Sequence, residues 1–179
     1  MSSVFTLLFA PTFLIFLHYF EFKLVVSIYL VFSFILLTYS YIQNKISKNL
    51  ITPFIYVSLL SFAYFQGFTL VKFIPVMTSL LFLSLFIDAT INKKELILKY
   101  TKKFYLKQLS DEEILFLKTA DGYWVGATFI STLMQFIVTF YDDITWAFYS
   151  SIGWYIFFFF ALMIQILYGR LYAIKMYRK

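Results

Sequence analysis

Long apolar runs broken by short polar stretches organise this chain. They cover residues 4–20, 24–42, 50–71, 73–91, 120–140 and 144–167. A bilayer core about 30 Å thick takes about 20 helical residues to cross, and each run approaches or meets that length. Lipid offers backbone N–H and C=O groups no partner, so only helices or closed barrels span it. Barrel strands would read as short alternating segments, whereas these runs are continuously apolar. The expected architecture is therefore all-α: a polytopic bundle of six transmembrane helices, one membrane domain over residues 1–179. The first run is the shortest and contains Pro11 and His18. If it is re-entrant or interfacial, five spans remain and the N-terminus changes sides. Pro53 and Pro75 fall in the first turns of their spans, where a missing N–H costs least.

The longest polar stretch is 92–118. Within it, Ser110 followed by Glu113 reads as a capping box, flanked by Leu109 and Ile114 as a hydrophobic staple. Asp111 and Glu112 also suit the positive end of a helix dipole. A helix that starts here can run unbroken into the fifth span, with its first residues protruding from the bilayer. The preceding piece, 93–108, mixes lysines with Leu96, Ile97, Tyr100, Phe104 and Tyr105. It reads as a basic amphipathic helix lying on anionic lipid. Lys93 and Lys107 intrude on its apolar arc.

Charge adds orientation. The chain carries 15 Lys and Arg. All but Lys23 and Lys72 fall in the loop 43–49 (Lys45, Lys48), the loop 92–118, or the tail from Arg170 to Lys179. Six spans place those three regions on one side, and basic loops stay cytoplasmic. Both termini are then expected in the cytoplasm, with Glu21, Lys23, Lys72, Asp142 and Asp143 facing outward. Composition agrees: 62% hydrophobic and 13% charged leaves too little charged surface for a soluble domain of this size. The net charge of +6 is mostly a topology signal, and no folded basic face suggests nucleic acid. With no Cys, disulfides, thiolate metal sites and cysteine nucleophiles are excluded. No basic segment precedes the first run and no small-residue cleavage site follows it, so that run is expected to stay in the membrane.

Few residues suggest chemistry. His18 is the only histidine, and Glu21 follows it by about one turn. The pair could relay a proton or bind a headgroup, or simply be interfacial. Asp88 and Asp121 stand near the inner ends of spans four and five, where an ionisable group is either functional or paired at the interface. Gly122 and Gly126, followed by Ala127, Ser131 and Gln135, form a small-residue face for helix packing within the chain or between copies. Gln135 could hydrogen-bond across such an interface, and Gln66 and Gln165 likewise. Trp124, Trp146 and Trp154 are expected as interfacial anchors. Lys93, Lys94, Lys99, Lys102, Lys103 and Lys107 form a candidate lipid or partner surface. No nucleophile elbow, phosphate loop or metal-ligand spacing appears. No catalytic, metal or cofactor site is expected, and the chain is not expected to be an enzyme.

Several segments in order resemble the intracellular septation protein A family of small bacterial inner-membrane proteins. Phe9-Ala-Pro11 with Phe13-Leu-Ile-Phe16 looks like that family's opening run. Lys93-Lys94-Glu95-Leu96-Ile97 looks like its basic loop, which usually has proline in place of Glu95. Trp124 with Phe129, then Trp146-Ala-Phe148 and Gly153, and the closing Ile166-Leu-Tyr168-Gly-Arg170 resemble its last two spans. Spans four to six are also similar to a related uncharacterised membrane family encoded near aryl polyene lipid genes. The resemblance implies a non-enzymatic inner-membrane protein that supports envelope synthesis or septation. Its partners would be membrane lipids, envelope or division proteins, or a second copy of itself, and not nucleic acid. The alternatives are a small transporter or lipid-handling protein, and an accessory protein of acyl-lipid synthesis.

Overall fold

The computed structural model describes residues 2–42, 51–104 and 109–177, and side chains over 9–42, 51–103, 109–169 and 171. Lys45, Lys48, Lys107, Arg178 and Lys179 lie outside the described residues. Among the described residues every regular element is helical and no strand occurs. In chain order they are α1 (Ser2–Tyr19), α2 (Phe22–Ile42), α3 (Ile51–Gln66), α4 (Phe68–Val71) and α5 (Ile74–Ile91). Then come α6 (Leu96–Phe104), α7 (Asp111–Lys118), α8 (Ala120–Val138), α9 (Asp143–Phe148), a π-helical turn (Tyr149–Gly153) and α10 (Trp154–Tyr177).

Among the described residues, three stretches are long and apolar enough to cross a membrane: Phe22–Ile42, Phe68–Ile91 and Asp143–Gly169. They correspond to the second, fourth and sixth expected spans. The first run gives α1, Ser2–Tyr19, of which Phe9–Tyr19 is apolar over its described side chains, and the third gives the apolar helix Ile51–Gln66. The fifth, α8, carries Asp121, Thr128, Ser131, Thr132 and Gln135 and is not among the three. Large apolar side chains cover the outside, with Phe62 66%, Phe65 83% and Ile144 79% exposed. Water would not tolerate so many exposed large apolar side chains, whereas lipid tails do.

Helix ends depart from the sequence expectation at three points, each for a local reason. The third run does not continue to Val71. It stops at Gln66 because Gly67 takes φ 98°, a left-handed conformation open to glycine without a Cβ penalty. Gly67 N–H closes the last turn on the Ala63 carbonyl at 2.8 Å. Residues 68–71 therefore join the following segment, with a turn at Lys72 and Phe73. The helix that begins at Asp111 is likewise not continuous with α8. Thr119 ends α7, and its N–H turns back three residues to the Phe116 carbonyl (3.2 Å).

The third departure is at Lys93. The basic helix does not start there, because Lys93 sits at φ 48° just past the end of α5. Lys94 N–H reaches the Ala89 carbonyl (2.8 Å) and Lys93 N–H the Thr90 carbonyl (3.4 Å). This pair of bonds is the Schellman closure, whose left-handed position normally belongs to glycine. A lysine there carries a Cβ cost of about 1–2 kcal/mol. Lys93→Gly is accordingly expected to stabilise the protein by about 1 kcal/mol after the extra chain entropy is counted. Equilibrium unfolding in detergent measures it, and unchanged or lower stability would contradict the assignment.

The chain divides into two compact units, residues 1–78 with 134–153, and residues 79–133 with 154–179. The first is centred on aromatic side chains. Phe9 meets Tyr29 and Tyr56 edge-on, with centroids 5.4 and 5.2 Å apart. Phe13 stacks on Phe68 at 5.8 Å, and Phe68 meets Trp146 edge-on at 5.6 Å. Val25, Val26, Leu60, Ala63, Val71 and Ile74 fill the space around them. In the second unit Trp124 lies between Phe86 and Phe158, both stacked with centroids 5.8 Å away. Trp154 packs on Phe82 and Phe158. Phe116 of α7 lies directly over Gly169 of α10, so close that a Cβ there would approach its ring to 2.9 Å.

Candidate functional site

Each unit holds one cluster of charged and polar groups in an otherwise apolar setting. In the first, the break between α4 and α5 turns Lys72 inward. Its side chain is only 11% exposed. Its ammonium pairs with Asp143 Oδ1 (2.7 Å), donates to the Tyr141 carbonyl (3.0 Å) and lies 5.5 Å from the centre of the Phe68 ring. The Lys72 carbonyl, freed by the same turn, accepts the Trp146 indole N–H (3.1 Å) and the Thr139 hydroxyl (3.5 Å). One lysine thus ties the α4–α5 junction to the α8–α9 hairpin through both its backbone and its side chain. A buried ammonium needs such partners, since desolvation without them is costly.

Next to it, Asp142 caps α9. Its carboxylate accepts the Thr145 hydroxyl (2.6 Å) and the N–H groups of Thr145 (2.9 Å) and Ile144 (3.1 Å). These bonds favour the charged form, the Thr145 hydroxyl most, and hold the Asp142 carboxyl below the usual carboxylate range. A lowered value in the folded state means the cap contributes stability above the ordinary Asp value, near 4. That contribution fades as pH falls through the lowered one. Thr145→Val is expected to raise the Asp142 midpoint toward its ordinary value. NMR titration of the Asp142 carboxyl and the Ile144 amide would show it. A midpoint unmoved by the substitution would remove the hydroxyl as the main cause.

In the second unit Asp121, 3% exposed, reaches back to the start of α6. Oδ2 accepts the Leu96 N–H and Oδ1 the Ile97 N–H, both at 2.9 Å. The N-cap of α6 is thus supplied from another helix. Beside it, Asp88 pairs with the Lys94 ammonium and accepts the Asn92 side-chain amide (2.7 Å). Ser110 and Glu113 form the expected capping box on α7, at 3.3 and 2.9 Å.

These positions revise several expectations. His18 is exposed against the Tyr19 ring. The chain leaves the helix before Glu21, so the two make no ion pair among the described residues. Asp88 is paired with Lys94, whereas Asp121 is bound to backbone rather than to a basic neighbour. Packing within the chain is the first use the sequence suggests for Gly122 and Gly126. Both are exposed, and among the described residues no other element approaches within 4 Å of the place a Cβ would take. The buried small face of α8 runs instead through Ala127, Thr128 and Ser131. Gln135 is buried and donates to the Ser150 hydroxyl (2.7 Å) in the π-helical turn, while Gln66 is exposed.

Trp146 and Trp124, expected as interfacial anchors, both pack against other side chains. Trp146 is fully buried, and Trp124 is stacked between two rings with its N–H on Gln165 Oε1 (2.7 Å). Among the basic candidates, Lys94 pairs with Asp88, Lys99, Lys102 and Lys103 are exposed on α6, and Lys107 lies outside the described residues.

Comparison with protein-family models, with curated proteins and with solved structures finds no match. Chemically, the first cluster anchors a hairpin and the second positions a basic helix. Among the described residues no three of His, Cys, Asp or Glu come together around a metal position. Reading the sequence missed Lys72 and Asp143. Their one signal was a lone lysine within an apolar stretch and an aspartate pair expected on the same side of the membrane.

Proposed function

We propose that this protein is a non-enzymatic, multi-pass component of a bacterial inner membrane that supports envelope synthesis or septation through protein contacts. The observation that carries this reading is the open Gly122 and Gly126 face on α8. A helix in lipid that shows two glycines one turn apart, with none of the described residues over them, offers a close-approach surface to another helix. The resemblance to the septation protein A family points the same way.

The reading includes six spans with both termini cytoplasmic. The basic loops favour that orientation. The Lys72–Asp143 pair also suits it, since it joins two turns that six spans put on one side. Because the chain contains no Cys, single cysteines placed at Lys48, Lys102 and Tyr141 report topology directly. An impermeant thiol reagent applied to intact cells should label only the Tyr141 position. For the contact surface, Gly126→Cys in native membranes should crosslink to a specific partner chain. A strictly monomeric protein that crosslinks to nothing, while controls react, defeats the proposal.

A further inference from the structure

The structure gives α6 a sharper division than the sequence pattern does. At 100° per residue, Lys99, Lys102 and Lys103 fall within an arc of about 100°. Leu96, Ile97, Leu98, Tyr100 and Thr101 occupy the rest. Lys93, which blurs that division, is out of the helix in its left-handed turn. Leu98 is buried at 3% exposure, while Lys99 and Lys102 are exposed and Tyr100 is 58% exposed on the flank of the basic arc.

Two contacts fix the depth of this helix. Its first turn is bound by Asp121, the second residue of α8. The chain just before it is bound by the Lys94–Asp88 pair in the last turn of α5. The membrane-length stretch Phe68–Ile91 ends only five residues (96 − 91) before Leu96. A helix held there lies at headgroup level. Its lysines spread over more than one turn, which suits an array of phosphates better than a single anion. The exposed tyrosine is a residue type that favours the interface.

We propose that α6 lies in the membrane–water interface and binds the phosphates of anionic phospholipids through the Lys99, Lys102 and Lys103 face. This is independent of the protein-contact reading above, since it needs no partner chain. The test uses the full chain in lipid nanodiscs made of phosphatidylcholine alone or with added phosphatidylglycerol. Amide exchange over 96–104 should slow when phosphatidylglycerol is present. The gain should vanish at high salt, where exposed charges are screened. Each Lys→Gln substitution should lower the gain about fivefold at low salt, the equivalent of about 1 kcal/mol per basic residue near an anionic surface. Equal exchange in the two lipids, or a gain that survives K99Q/K102Q/K103Q, overturns the proposal. So does glycerol phosphate in solution reproducing the gain in phosphatidylcholine discs, because the ligand would then be a free anion.

Discussion

Trp146→Ala is expected to lower stability by about 3–5 kcal/mol, the usual cost of removing a large buried aromatic. Trp146 is the largest of the fully buried side chains. Its ring closes the aromatic core edge-on to Phe68, and its N–H occupies the Lys72 carbonyl. Alanine would leave both a cavity and a buried carbonyl short of a partner. Trp146→Phe separates the two effects: it keeps most of the volume and loses the N–H, for about 1–2 kcal/mol. Denaturant unfolding of the purified protein in mixed micelles measures both. An alanine variant within about 1 kcal/mol of the parent would mean that Trp146 is not part of a packed core.

Asp121→Ala is expected to release α6 at a local cost of about 2–3 kcal/mol, because hydrogen bonds to a charged group are worth more than neutral ones. The carboxylate accepts two backbone N–H bonds in a nearly closed setting. Without it the first turn of α6 loses its cap. Amide exchange over 96–104 should then quicken by about 30- to 140-fold, at about tenfold per 1.4 kcal/mol. Exchange in α8 beyond its first turn should hardly change. Asp121→Asn keeps one acceptor and should fall between. Unchanged exchange in α6 would show that the helix holds its place without Asp121.

How far the sequence revealed this arrangement depends on the range of each interaction. The apolar runs at 24–42, 73–91 and 120–140 predicted the helices found at 22–42, 74–91 and 120–138, because in lipid continuous hydrophobicity leaves the backbone few alternatives. The Ser110 and Glu113 capping box was legible because its parts lie three residues apart. Asp121 was visible as a buried acid, but its partners lie 25 and 24 residues away in the chain and are backbone N–H groups, which carry no residue signature. The packing of Trp146 and Trp124 was not legible because core-facing and lipid-facing positions are both apolar, so no amphipathic pattern separates them. The left-handed turn at Lys93 and Glu95 was hidden for the opposite reason, since neither residue type announces it. Glu95 sits at φ 50°, which proline cannot adopt. The resemblance to a family with proline at this position therefore meets a different backbone here.

The π-helical turn at Tyr149–Gly153 has a consequence for changes in chain length. A turn closed over five residues rather than four holds one residue more than a regular helix would. Within the turn, Ser150 accepts the Gln135 side-chain amide at 2.7 Å. Loss of a single residue from 149–153 would restore ideal helix locally, where each residue turns by about 100°, and would swing Ser150 away from Gln135. At this point the fold tolerates substitution better than deletion, because what the segment supplies is a count of residues.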